Sequence, residues 1–161
     1  MKKILIATLL FSIVFTSCNE SKKNNIESTI DEQSHEKEEI NNKENKINNN
    51  WINHIALNDG IKWNANIETT QGVHAMLSEL NKSNPKTVED YISMANRLND
   101  EKNMVIKKCT MKGASHDNLH IFLLPLIEKL DLLSEITTTK EGMEITKSIK
   151  ENLEAYTNYF K

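Results

Sequence analysis

The sequence predicts an all-α fold, an antiparallel up-down four-helix bundle preceded by an irregular strap and a disordered tether. Three observations predict it. Apolar residues recur at helical spacing from Ile67 to Phe160, start and stop signals cut that stretch into four, and no alternating strand pattern, internal repeat or glycine-rich phosphate loop appears. Four helices joined by short links favour antiparallel neighbours. The domain is expected to span residues 51–161, after an export signal at 1–17 and a tether at 18–50.

Asn66 is placed to cap a first helix carrying Ile67, Val73, Leu77 and Leu80, and Asn84-Pro85 ends it. His74 shares that face and is expected to be buried. Thr87, with Asp90 three residues on, resembles a capping box for a second helix. Its apolar face is Tyr91, Met94, Ala95, Leu98, Val105 and Cys109, and Met76, Met94 and Met104 all fall at core spacing. Gly113 is expected to stop this helix. Ser115 is expected to cap the third, with Asp117 well placed against the dipole. The third face runs through Leu119, Phe122, Leu123, Leu126, Ile127, Leu130 and Leu133. Pro125 lies inside it, cannot donate to the carbonyl of Ile121, and is expected to kink it. Thr138 and Glu141 form a capping box for the fourth helix, which carries Ile145, Ile149, Leu153, Tyr156 and Phe160.

Residues 51–65 read as a strap laid across these helices, with a turn at Asn58-Asp59-Gly60. Trp51 and Trp63 suit core anchors better than a sugar platform, because a small bundle needs large apolar side chains to fill it. Asn19 to Asn50 holds four apolar residues (Ile26, Ile30, Ile40, Ile47) against eight acidic and five basic ones. Such a segment buries too little surface to offset its ordering entropy, and as a coil it would span roughly 30 Å. His35, within it, is expected to be solvated and inert.

The first residues set the address. Lys2 and Lys3 precede an apolar run of 12 residues, Ile4 to Phe15, which suits a signal-peptide core and is too short for a stable bilayer span. The run ends in Phe15-Thr16-Ser17-Cys18, which resembles the lipobox of bacterial lipoproteins, with phenylalanine where leucine is usual. The resemblance implies cleavage before Cys18, a diacylglyceryl thioether on its sulfur, and acylation of the new amine. Two or three acyl chains hold a protein firmly to a membrane. Asn19 is not the aspartate that signals inner-membrane retention in some bacteria, so the expected location is the outer membrane, facing the periplasm.

Composition excludes some partners. A net charge of -3 with Arg97 as the only arginine is poorly suited to nucleic acid, which calls for a clustered basic surface. Of the two cysteines, Cys18 is spoken for by lipid, leaving Cys109 unpaired in an oxidising compartment.

One stretch has the residues for chemistry, Lys108-Cys109-Thr110-Met111-Lys112-Gly113-Ala114-Ser115-His116-Asp117-Asn118-Leu119-His120. His116 and His120 are four apart, so both imidazoles fall on one helix face and can reach one ion. Cys109 is expected in the last turn of the second helix and Met111 at the turn itself. Sulfur from Cys109 and nitrogen from the two histidines can then converge, with Met111 as a fourth or capping ligand. Thiolate, thioether and imidazole form a soft set suited to copper(I), with zinc as the runner-up. Against this stands a bland alternative: Cys109 is in the apolar register of its helix, and buried cysteine is often a small hydrophobe. The histidines can equally sit at the core or rim, bonded to carbonyls.

The run Lys-Cys-Thr-Met-Lys-Gly, followed by His116, Leu119-His120 and Leu123-Leu124-Pro125-Leu126, is similar to the signature of a family of small uncharacterised lipoproteins from Bacteroidetes-type bacteria. That signature includes a Leu-Asn-x-Gly-x-x-Trp element, here Leu57 to Trp63. The likeness covers residues 51–161 and implies no catalytic residue.

No enzyme signature is present. Ser115, His116 and Asp117 are sequential, so their side chains diverge around a helix and cannot form a triad. The lack of Cys-x-x-Cys-His argues against attached haem, and no haem is expected. Two functions from different classes remain. One is an envelope lipoprotein whose bundle binds a soft metal for sensing, buffering or transfer. The other is a metal-free module that docks on another envelope protein.

Overall fold

Two threonines start helices by the same device. Thr87 Oγ1 accepts from the Asp90 amide, while the Asp90 carboxylate accepts from the amides of Lys86 and Thr87. Thr138 and Glu141 repeat the arrangement. In the computed structural model, which describes residues 45–161, the chain forms four α-helices: α1 (Ile67–Lys82), α2 (Val88–Lys108), α3 (Ala114–Ser134) and α4 (Thr139–Tyr159). The described residues contain no strand, only isolated bridges at Asn58–Ile61 and Trp63–Phe160. The all-α expectation therefore holds. The export signal, Cys18, His35 and most of the tether lie outside the described residues.

Each helix packs on its chain neighbours, and α1 packs on α4. Two of the pairings, α1–α2 and α3–α4, are antiparallel. Gly72, early in α1, lies against Val105, late in α2. Phe122, early in α3, meets Tyr156, late in α4, with ring centroids 5.3 Å apart. The core is the expected one, with Val73, Met76, Met94, Leu98, Phe122, Leu126, Leu130, Ile145, Ile149 and Leu153 all essentially sealed from water. No helix among the described residues is long and apolar enough to cross a membrane.

The strap runs as expected over the helices. A 3-10 turn at Asn50–Asn53 seats Trp51 edge-on against Phe122 and Tyr159, at 5.5 and 5.9 Å. The Ala56 amide donates to Asn118 Oδ1 (3.0 Å), pinning the strap to the start of α3. Trp63 Nε1 donates to the Ala56 carbonyl (2.7 Å). Packing begins before Trp51, however, because Ile47 already lies against the core. Residues 45–47 are helical as well.

Several local expectations change. Gly113 does not stop α2, which ends at Lys108. It is instead the N-cap of α3, at φ 60°, a conformation glycine adopts without cost. Ser115 consequently lies inside the helix and turns back, its Oγ donating to the Lys112 carbonyl (3.1 Å). Asn66 is the N-cap of α1, but its side chain accepts from the Thr69 hydroxyl and donates to the Lys108 carbonyl (3.1 Å), tying the start of α1 to the end of α2. His74, Ile67 and Met104 are exposed, because α1 and α2 bury narrower stripes than their apolar residues outline. Pro125 lies inside α3, as expected, and the helix continues past it to Ser134.

Candidate functional site

Helix register brings His116 and His120 together. They occupy successive turns at the start of α3, with ring centroids 4.4 Å apart and planes at 63°. His120 is exposed and His116 half-buried. The face they share continues one turn on to Leu124, itself 56% exposed.

Cys109 is placed otherwise than its apolar register implies. It is the residue after α2, in extended conformation at φ -62°, ψ 123°, rather than part of the last turn. Its side chain is half-buried and packs against the core. There it lies within electrostatic reach of the Tyr156 hydroxyl, which shares a 2.9 Å hydrogen bond with Thr70. Burial raises the Tyr156 phenol above its usual range, and the Cys109 sulfur adds to that effect. Met111 is likewise half-buried against the core. Among the described residues, no three His, Cys, Asp or Glu side chains gather where they could hold one ion. The structure thus brings the two histidines together and packs Cys109 and Met111 partly against the core.

A second polar centre lies on the opposite side of α3, and the sequence reading missed it. Lys129 is 0% exposed. Its ammonium donates to the side-chain oxygens of Asn49 and Asn152, the latter at 3.0 Å. Asn152, also sealed from water, is held by donation to the Phe122 carbonyl (3.3 Å). Both partners are neutral. Glu151 and Glu128 supply only through-space attraction, and burial lowers the Lys129 pKa to about 8. Asn49 is the hub: its oxygen also accepts from Trp51 Nε1 (3.1 Å), and its amide donates to the carbonyl and hydroxyl of Ser148 and to Glu151 Oε2. The Ser148 hydroxyl in turn donates to the Ile47 carbonyl. A signal for this centre was present, since Lys129 stands three residues after Leu126 and four before Leu133, inside the apolar stripe. Asn49 gave no comparable sign, because its partner is 80 residues away.

No family model matches the chain, and neither a curated protein nor a solved structure is similar to it.

Proposed function

We propose that this chain is a lipid-anchored envelope protein whose helical domain binds copper or zinc through His116 and His120, for sensing, buffering or transfer. One observation carries the reading: two imidazoles one turn apart, with rings in contact and one of them open to solvent. Imidazole nitrogen suits both ions, and a two-nitrogen site leaves coordination positions free for exchange with a partner. Cys109 and Met111 lie on the link that feeds α3 and serve as reserve donors if that link moves. Anchoring rests on the lipobox-like Thr16-Ser17-Cys18, with the outer membrane as the proposed location.

The test is thermal denaturation of the purified, reduced protein with zinc and with copper. An ion that binds only the folded form should raise the melting temperature, by about 2.7 kcal/mol of added stability at 100 times the dissociation constant. His116→Ala and His120→Ala should each abolish the gain, while Cys109→Ser should keep most of it with zinc. Binding should weaken in acid, because only neutral imidazole can ligate. A melt unmoved by either metal sinks the proposal. The second reading, a metal-free docking module, then takes over, favoured by the exposure of Leu124 on the same face.

A further inference from the structure

We propose that residues 45–50 form a releasable clasp, in which the Asn49 carboxamide closes over the buried Lys129 ammonium and can lift away while Trp51 stays seated in the core and α3 and α4 remain folded. The bonds are arranged for this. Apart from the Trp51–Asn49 contact, each bond to the Asn49 side chain crosses from the segment to α3 or α4, and none ties those two helices to each other. Lys129 and Asn152 bridge α3 to α4 on their own, as does the Asn152–Phe122 bond, so that link survives when the segment leaves. The segment's own helical structure is residues 45–47 and the first residue of the 3-10 turn, whereas Trp51, next along, stays edge-on against Phe122 and Tyr159. Closure seals a cation between two neutral amides, and opening returns it to water, where an ammonium is better solvated. The clasp thus controls where the upstream chain departs from the bundle. When open, it uncovers a cationic seat lined by Ser148 and Asn152.

Protonation sets the balance. The charged groups facing Lys129 are Glu128 on α3 and Glu151 on α4, and Lys46 is the only charged residue in the segment itself. The closed form holds the lysine pKa near 8, against 10.5 in water, so the closed form binds fewer protons between those values. Raising the pH through that window therefore favours closure, and below it the open fraction is greatest and flat.

Hydrogen exchange on the intact chain tests this. The amide of Ile52 donates to the Asn49 carbonyl and that of Asn50 to Asn48 Oδ1, so both report on the segment. Their protection should be well below that of the α3 and α4 interiors, and should rise by up to about tenfold from pH 7 to pH 9 after correction for intrinsic exchange. Lys129→Met should remove that pH dependence. Asn49→Ala should lower protection at these two amides and leave the interior of α4 unchanged, which keeps the test decisive if Lys129→Met fails to fold. Protection equal to the helix interiors would overturn the proposal, as would pH dependence surviving in Lys129→Met, or loss at α4 as large as at Ile52 in Asn49→Ala.

Discussion

At the scale of single residues, two glycines show how closely the helices approach. A methyl added at Gly142 would stand 2.7 Å from the Tyr91 ring and 2.9 Å from Ile136 Cδ1, and one added at Gly72 would stand 2.3 Å from the Cγ2 of Val105, with the Glu101 carbonyl at an ordinary 3.6 Å. Two effects compete when either becomes alanine. Helix propensity gains up to about 1 kcal/mol, while overpacking typically costs about 1–3 kcal/mol. Tyr91 is buried, and its ring is a flat, rigid surface that cannot yield by rotating one methyl. Gly142→Ala should therefore lose about 1–2 kcal/mol net. Val105 is sealed from water and, as a β-branched residue in a helix, is held to one χ1 rotamer, so rotation does not relieve its clash and Gly72→Ala should lose at least as much. Denaturant melts of the two variants check this, and a clearly smaller loss for Gly72→Ala would show that the α1–α2 crossing is looser than its geometry.

At the scale of elements, the helices were legible because each carries its own boundary chemistry. The boxes at Thr87–Asp90 and Thr138–Glu141 are read from four residues and need nothing from the rest of the fold. The start of α3 lacks such a side chain. Gly113 begins it through backbone conformation alone, and a glycine between two helices reads equally as a stop or a start. Cys109 differs for a separate reason: α2 ends at Lys108, which leaves Cys109 in extended backbone outside the helical register. The His116–His120 pair was immune, because its spacing is internal to α3. Thr138→Ala should cost about 1 kcal/mol, as should Thr87→Ala, and the losses should add because the boxes belong to separate helices. Chemical denaturation of both single variants and the double checks additivity, and a strongly sub-additive double would mean that the two helix starts form one unit.

At the scale of the whole molecule, the apolar pattern locates the core but not the edge of the domain. Residues 45–50 are polar apart from Ile47, and nothing local distinguishes Asn49 from its asparagine neighbours. Its role comes from partners distant in sequence, Lys129 on α3 and Ser148 and Glu151 on α4. A chain beginning at Trp51 should still fold, since the four helices and their core remain, but it loses the Ile47 packing and the Asn49 bonds. Water entering the vacated seat hydrates Lys129 and offsets part of that loss, so the net cost at pH 7 should be about 1–3 kcal/mol. The two opposing effects separate with pH. In the chain beginning at residue 45 the lysine is released from its burial penalty as pH rises past 8, whereas in the shorter chain it titrates closer to its ordinary 10.5. Stability of the longer chain should rise relative to the shorter one between pH 7 and 9, widening the gap by up to about 1.4 kcal/mol. Parallel denaturant titrations at the two pH values measure this directly. A gap that stays constant would mean that Lys129 remains equally buried without Asn49, and that the helices alone dictate its environment.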